Sequence, residues 1–273
     1  MLPSVELNAL ASQMQAAQEN ARQIEPFTSQ HSDFDVPSGY AVADLIHRAR
    51  VRRGAIPVGR KIGFTNPEMW ALHGVQVPIW GYVYDATVVR SSGGLETCSL
   101  GKFTEPKIEP EIIFHFHRAP PLGASLGSIL ECIDWVSHGF EIVQSHFPGW
   151  RFRAADAVAD GALHGTLLVG EPQPVARLGS NLIAALEEFS LELSCDGVLR
   201  EVGKGANVLG SPLLAIAHLI SVLSDQPEHF PLQANELVTT GTITAAQPVH
   251  AGQTWRTQVR GIALPGLSVK FAG

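Results

Sequence analysis

The chain has 273 residues, of which 45% are hydrophobic and only 16% are charged. This length and composition allow a sizeable core in one large domain or two small ones, and they exclude a disordered chain and a disulfide-stapled miniprotein. The formal net charge of -7 at pH 7 repels a phosphate backbone, so we expect no nucleic-acid partner.

The N-terminal residues 1–24 are polar and have no basic segment ahead of an apolar block, which argues against a secretory signal. The longest largely apolar stretch, residues 213–223, is far shorter than the ~20 residues that cross a bilayer. We therefore expect a cytoplasmic protein that does not enter the membrane. The cysteines are odd in number and far apart, which predicts reduced thiols.

Apolar residues at steps of three and four predict an amphipathic helix near the N-terminus. They are Leu7, Leu10, Met14, Ala17 and Ala21. This stripe would pack on the core or on a partner subunit. A second helix is expected over residues 42–53, so that residues 1–55 form a helical N-terminal section.

From residue 56 onward, short apolar runs separated by glycine and proline predict a β-rich catalytic domain over residues 56–273. Helices are expected at 125–135 and 181–189, and another begins at Pro212, which suits a first helical turn. Residues 237–271 are typical of several strands with turns between them. The predicted fold class is mixed α/β, of the α+β kind.

The segment 106–117 carries the clearest chemical pattern. At period two, Glu109 and Glu111 share one face with Lys107, whereas Ile108 lies on the other. Their Cα atoms would be about 6–7 Å apart, so the carboxylates need water, a cation or a proton between them. Ordinary surface acids are the alternative. Pro110 predicts an edge or bulged strand.

Two histidines and one further acid could belong to a metal site. His115 and His117 fall on the same face and leave a zinc site open, although carboxylate ligation favours Mg²⁺ or Mn²⁺. Glu141 lies between Phe140 and Ile142, where a lone charge needs a partner. A shared metal ion or a salt bridge to arginine or lysine would serve equally.

Lys61 lies between Gly59 and Gly63, where the backbone can approach a ligand closely. It could hold a substrate carboxylate or an oxyanion, or be a surface lysine. The glycine-rich residues 203–210 match neither nucleotide-binding pattern.

Six blocks in register resemble the 2-keto-4-pentenoate hydratase and 4-oxalocrotonate decarboxylase group of the fumarylacetoacetate hydrolase superfamily. The blocks are residues 59–65, 106–112, 140–143, 159–162, 208–212 and 241–249. The resemblance extends over nearly the whole chain. It implies a fumarylacetoacetate-hydrolase-type mixed β-roll after the helical N-terminal section, and a homo-oligomer that would cover the N-terminal apolar stripe.

The resemblance also implies a small 2-oxo or 2-hydroxydienoate acid as substrate and Mg²⁺ or Mn²⁺ as cofactor. The ion would be held by Glu109, Glu111 and Glu141. Such an acid offers its carboxylate and adjacent oxygen as a chelate, and the cation stabilises charge that develops on that oxygen. The implied substrate contacts are Lys61, Asp160, Thr242 and Thr244.

The chain departs from the family pattern around the site. Gln144 and His146 stand where the family tends to have aspartate and arginine, and His164 replaces a serine. The acid that hydratases often carry some fifteen residues after the lysine is missing, and Gln76 stands in its place. The turn at residues 78–81 resembles the decarboxylase form of this segment more than the hydratase form. Imidazole is the side chain that most often serves as a general acid or base in enzymes, so we take His146 and His164, with Lys61, as candidate catalytic groups.

Few charges are expected near the far end of the substrate, which favours hydration of a monocarboxylic 2-hydroxy-2,4-dienoate. Decarboxylation of 4-oxalocrotonate, that is 2-oxo-3-hexenedioate, is the first alternative. Hydrolysis of a carbon–carbon bond in an acylpyruvate is the second, with His138, His146 or His164 activating water. A non-catalytic family member that serves as a partner subunit is the third.

Overall fold

The computed structural model describes residues 2–66, 78–226 and 230–273. Its helices within these ranges are α1 (Ser4–Glu19), α2 (Phe27–Gln30), α3 (Val36–Arg52), α4 (Leu126–Leu130), α5 (Ala154–Ala159), α6 (Leu182–Glu188) and α7 (Pro212–Ser224). Two of the longer helices have side-chain caps that follow from the sequence. Asp35 accepts a hydrogen bond from Ser38 N ahead of α3, and Ser211 accepts one from Leu213 N ahead of α7.

The strands begin after the N-terminal helices and continue to the end of the chain. They are β1 (Pro57–Gly63), β2 (Ile79–Tyr84), β3 (Val88–Arg90), β4 (Leu95–Ser99), β5 (Lys107–Phe116), β6 (Ile133–Val143), β7 (His164–Val169), β8 (Gln173–Pro174), β9 (Ser190–Cys195), β10 (Val198–Lys204), β11 (Leu237–Thr242), β12 (Gln247–Pro248), β13 (Thr254–Arg260) and β14 (Ser268–Ala272).

These strands form two mixed sheets. The larger sheet has the order β2-β1-β11-β5-β6-β7-β3, with β12 on β5 and β8 on β6. The smaller sheet has the order β10-β9-β13-β14-β4. Most neighbours are antiparallel, while β1/β11, β3/β7 and β14/β4 are parallel.

The larger sheet curls strongly. Three strand spacings separate β1 from β6, about 14 Å in a flat sheet, yet Lys61 Nζ on β1 lies 3.0 Å from a carboxylate oxygen of Glu141 on β6. On the same side, a Cβ at Gly81 would lie 2.5 Å from the carbonyl oxygen of Gly161. The mixed α/β class and the β-roll expected from the resemblance are confirmed.

The imidazole of His138 joins the two sheets. Its Nδ1 lies 3.0 Å from Glu111 O in the larger sheet, and its Nε2 lies 2.7 Å from Thr257 Oγ1 on β13 of the smaller sheet. A neutral ring satisfies both contacts when Nδ1–H donates to the carbonyl and the threonine hydroxyl donates to Nε2. His138 therefore has a packing role at the sheet interface.

The N-terminal helices pack within the chain. The predicted stripe of α1 is buried from Leu7 to Ala17, and it shares an apolar cluster with Phe147, Ala155 and Ala159 of the β-rich part. Core packing of the stripe is confirmed, so the stripe offers no argument for a second subunit. The boundary between sections 1–55 and 56–273 stays a prediction.

Two local predictions were wrong. The helix expected over residues 125–135 ends at Leu130, and Ile133 already begins β6, because the residues from Ile133 onward pair with β5 in the larger sheet. The strand carrying Pro110 is not at an edge, since β5 pairs with both β11 and β6. A bulge does occur, but it lies on β11 between Thr239 and Thr242.

The segment Gly205–Ser224 is long and apolar enough to cross a membrane by length and composition, which differs from the sequence expectation. Half of its most apolar stretch is buried inside the protein. Helix α7 contributes seven residues to the buried interior, among them Leu213, Ile216 and Leu219. A core helix of a folded domain has the same properties.

Candidate metal and substrate site

Three carboxylates converge near the centre of the larger sheet. One oxygen from each of Glu109, Glu111 and Glu141 lies within 4.8 Å of the other two. Glu111 and Glu141 are fully buried, whereas Glu109 is partly accessible. The three acids that the sequence singled out are thus brought together.

The strand register explains this convergence. Glu109 on β5 is the direct cross-strand partner of Glu141 on β6, and Glu111 stands opposite Gly139, which has no side chain. On its other side, Glu111 Oε2 accepts hydrogen bonds from Thr239 Oγ1 and, at 2.8 Å, from Gly241 N. The bulge in β11 presents this backbone N–H to the carboxylate.

Lys61 and His164 hold the third carboxylate from two sides. Lys61 Nζ lies 3.0 Å from Glu141 Oε2, with only 3% of the lysine side chain exposed. His164 Nδ1 lies 2.8 Å from Glu141 Oε1, and its Nε2 lies 2.8 Å from Thr87 Oγ1. The sequence left open a metal ion or a salt bridge as the partner of Glu141. The structure shows the salt bridge, which Lys61 makes.

Burial sets the charge state of the cluster. Loss of hydration raises the pKa of Glu109 to about 7 and that of Glu111 well above its usual value, and the Glu141 charge adds to both effects. Burial would also raise the pKa of Glu141, but the Lys61 ammonium and His164 outweigh it and lower that pKa to about 2. Glu141 therefore stays ionised.

The donor set fits a hard divalent cation. Glu111 Oε1 is buried and has no hydrogen-bond partner among the described residues, which is costly for a carboxylate unless an ion occupies the space beside it. Three converging carboxylates and no sulfur or nitrogen ligand in the described cluster suit Mg²⁺ or Mn²⁺ better than zinc.

A cavity of about 280 Å³ opens beside these carboxylates. Lys61 and Glu109 line one part of it, and Thr242 and Thr244 lie along its wall. Most of the remaining wall is apolar: Ile62, Phe64, Ile79, Val143, Phe152, Ala162, Leu163, Ala245 and Ala246. A cavity of this size with few polar groups suits a small ligand.

A second lysine enters the same cavity. Lys107 lies two residues before Glu109 on β5, and its Nζ is 3.8 Å from the centre of the Trp150 ring. The Trp150 indole N–H donates to Glu105 O at 3.0 Å. Sequence reasoning placed Lys107 on the face of the acids but assigned it no role. Trp150 gave no sequence signal, because its position depends on the loop after β6.

Three of the predicted catalytic and substrate-binding residues do not line the cavity. His146 Nδ1 lies 2.7 Å from Asp160 Oδ1, both residues are buried, and Gln18 of α1 also donates to Asp160. Asp160 and His164 line a separate cavity of about 40 Å³. A direct substrate contact by Asp160 or His146 does not fit this placement, because other side chains occupy their polar atoms or cover them.

The remaining sequence predictions can also be located. His115 pairs with Asp134, and His117 lies beside Glu131 O, outside the carboxylate cluster. Neither imidazole belongs to a cluster of three possible metal ligands among the described residues, so the structure gives the zinc alternative no support. Gln144 accepts a hydrogen bond from Thr104 N at 3.2 Å. Gln76 lies outside the described residues.

Comparisons with known proteins agree with this geometry. No family model matches the chain. A 4-oxalocrotonate decarboxylase from Pseudomonas sp. (strain CF600) is 30% identical over 265 residues, which cover 96% of both chains. A 2-keto-4-pentenoate hydratase from Paraburkholderia xenovorans (strain LB400) is 30% identical over 269 residues, 96% of this chain and 94% of that protein.

Solved structures show the same relationship. The 4-oxalocrotonate decarboxylase from Pseudomonas putida G7, complexed with magnesium and adipate, superposes with a TM-score of 0.89 at 29% identity and 99% coverage of both chains. Fumarylpyruvate hydrolase from Pseudomonas aeruginosa, with a TM-score of 0.58 at 16% identity over 80% of this chain and 90% of that one, shares the fold.

The curled mixed sheet is thus the fold of the fumarylacetoacetate hydrolase superfamily, with an acidic site at its centre. Within that class, the chain belongs to the family of 4-oxalocrotonate decarboxylases and 2-keto-4-pentenoate hydratases. It is an enzyme, a lyase of the hydratase and decarboxylase kind.

Proposed function

We propose that the protein is a divalent-metal-dependent lyase that adds water to a short 2-hydroxy-2,4-dienoate. The observation that supports this best is the convergence of Glu109, Glu111 and Glu141 within 4.8 Å of one another beside a cavity of about 280 Å³. The orphaned oxygen of Glu111 adds to the argument.

Mg²⁺ or Mn²⁺ would be held by Glu109, Glu111 and Glu141. When bound, it supplies electrostatic stabilisation of negative charge on the oxygen of a 2-oxo or 2-hydroxy acid. This role agrees with the solved decarboxylase that is complexed with magnesium.

The protein's own residues would orient the acid and keep the charges in place. Lys61 lines the cavity and is held protonated, since the surrounding carboxylates outweigh the effect of burial and raise its pKa. Its ammonium therefore attracts the anionic end of the substrate. His164 fixes Glu141 from the opposite side, and the threonine hydroxyls of Thr242 and Thr244 border the cavity.

Decarboxylation of 4-oxalocrotonate is a second candidate function. The solved relative with a TM-score of 0.89 is a decarboxylase complexed with adipate, which is a dicarboxylic acid. For acylpyruvate hydrolysis, the described cavity lining contains no histidine–acid pair that could activate water. His138 and His146 are buried elsewhere.

Two further proposals concern the setting of the enzyme. We propose a homo-oligomer, supported by the exposed apolar side chains of Val198, Leu199 and Val202 on the edge strand β10, since such edges invite pairing. We also propose a cytoplasmic location without nucleic-acid or membrane partners, supported by the acidic net charge. Light scattering of the purified protein tests the oligomer.

The reaction can be tested with two substrates. Purified protein with Mg²⁺ is given 2-hydroxypenta-2,4-dienoate and 2-oxohex-3-enedioate separately, and products are followed by mass and by CO₂ release. Water addition to either acid supports the proposal. Release of CO₂ without water addition to either acid favours the second candidate instead, and no turnover of either acid favours a non-catalytic family member.

A further inference from the structure

Lys107 lines the cavity without a salt bridge to any carboxylate of the described residues, although the charges of Glu109 and Glu105 lie near enough to attract it. Lys61 is neutralised by Glu141 at 3.0 Å. No carboxylate oxygen of the described residues lies within 4.0 Å of Lys107 Nζ, and its ammonium rests instead on the Trp150 ring at 3.8 Å. A half-buried ammonium held by an aromatic face retains most of its capacity to bind an anion.

The loop that carries Trp150 is built at some cost. Trp150 has a φ of +58°, a left-handed conformation that strains a non-glycine residue. Its indole N–H donates to Glu105 O, and Gly149 N donates to Glu105 Oε1 at 3.0 Å. These contacts fix the ring against Lys107, so the ammonium is positioned before any ligand arrives.

The two ends of the cavity differ in chemistry. Glu109 faces one end, where a divalent ion would bind the oxo-acid group. Lys107 lies two residues away on the same strand, about 7 Å along its axis. The walls of Val143, Phe152 and Leu163 are apolar, which suits a short hydrocarbon segment that joins two charged groups.

We propose that Lys107, held by Trp150, binds a second carboxylate at the far end of the substrate, so that the enzyme acts on a dicarboxylic 2-oxo or 2-hydroxydienoate acid. The inference rests on the proposed function for the position of the first carboxylate. It replaces the sequence expectation of a monocarboxylic substrate. It applies to hydration and to decarboxylation alike, since both candidate reactions can act on a diacid.

Two saturated probes that cannot react test the proposal. 2-Oxohexanedioate and 2-oxohexanoate have the same chain length and differ in the distal carboxylate. Their affinities are measured by calorimetry with Mg²⁺ for the wild type and for Lys107→Met. We expect the wild type to prefer the diacid by about 10- to 100-fold, as for one hydrogen bond to a charged group.

In Lys107→Met, affinity for the diacid should fall to that for the monoacid, while monoacid affinity stays within about twofold. Lys107→Arg should keep most of the preference, because it restores the cation. Lys102→Met is the matched control, since Lys102 Nζ lies 5.4 Å from the Phe103 ring and Lys102 does not line this cavity.

Three results would overturn the proposal. Equal affinity of the wild type for both probes would show that there is no distal carboxylate subsite. The proposed function would not be affected by that result. An equal loss of affinity for both probes in Lys107→Met would show that the lysine has a structural role. If neither probe binds the wild type in the presence of Mg²⁺, the proposed function itself fails, and the subsite fails with it.

Discussion

Glu109 and Glu141 are direct partners across β5 and β6, in the middle of a nine-stranded sheet. Like charges in this arrangement destabilise a sheet. The protein offsets part of the repulsion with Lys61, while loss of hydration and the charge of Glu141 still raise the pKa of Glu109 to about 7. A bound cation would complete the compensation.

Glu111→Gln should weaken Mg²⁺ binding by at least about 100-fold, or 2.7 kcal/mol, while leaving the fold intact. The amide oxygen can still accept from Gly241 N, and loss of the charge removes repulsion with Glu141. Calorimetry measures the affinity and thermal unfolding measures the fold. Glu187→Gln on the exposed face of α6 is the control. Parental Mg²⁺ affinity in the Glu111 variant would show that the ion site lies elsewhere.

Lys61→Met should reduce kcat/KM by about 100-fold or more with metal content retained, because it removes a buried cation from the substrate cavity but keeps most of the aliphatic stem. Steady-state kinetics and metal analysis of the same preparation check this. Lys61→Arg separates charge from geometry, since guanidinium restores the charge with a different shape. An unchanged kcat/KM in Lys61→Met would refute the assigned role.

His138 should make folding stability depend on pH. Burial lowers its pKa to about 4, from 6.5. Between these values the unfolded chain binds a proton that the folded chain does not, so stability is fully present above pH 6.5 and is lost as the pH falls towards 4. From pH 7.5 to 5.0 the loss attributable to His138 is about 2 kcal/mol.

Urea unfolding of the wild type and His138→Asn at both pH values measures this effect. Both proteins keep the same carboxylates, so the difference between their pH dependences isolates the imidazole. The asparagine variant should be less stable at pH 7.5 and should lose less stability on acidification. Parallel losses in the two proteins would assign the pH dependence to other groups.

Gly241→Ala should destabilise the protein by more than 2 kcal/mol, roughly the cost of strain and overpacking together. Gly241 has a φ of +94°, and a Cβ there would lie 2.0 Å from Thr65 Oγ1. Gly252→Ala is a matched control, because Gly252 has a φ of +91° but a Cβ there meets nothing within 4 Å. Similar unfolding midpoints for the two variants would contradict the predicted clash.

The sequence pattern revealed the three acids of the cluster better than the groups that surround them. The period-two spacing of Glu109 and Glu111 predicted a shared face, because alternation is a local property of a strand. The hydrogen bond from Gly241 N to Glu111 depends on a bulge in a strand more than a hundred residues away. Nothing local in the sequence specifies that pairing.

The difference between local sequence pattern and tertiary packing also explains the predictions that were wrong. Local periodicity favoured a helix across residue 133, but the residues from Ile133 onward pair with β5 in the larger sheet, and tertiary pairing overrides local preference. Lys107 was placed correctly on the acidic face. Its contact with Trp150 depends on the loop after β6 and is therefore seen only in the folded structure.

The packing of α1 has a practical consequence for shortening this chain. Met14 and Ala17 are fully buried, and Gln18 donates to Asp160, which in turn holds His146. Removal of α1 would therefore strip the covering from a polar pair in the β-rich part as well as expose apolar surface. For directed evolution, the helical section therefore belongs to the scaffold and is best left unchanged.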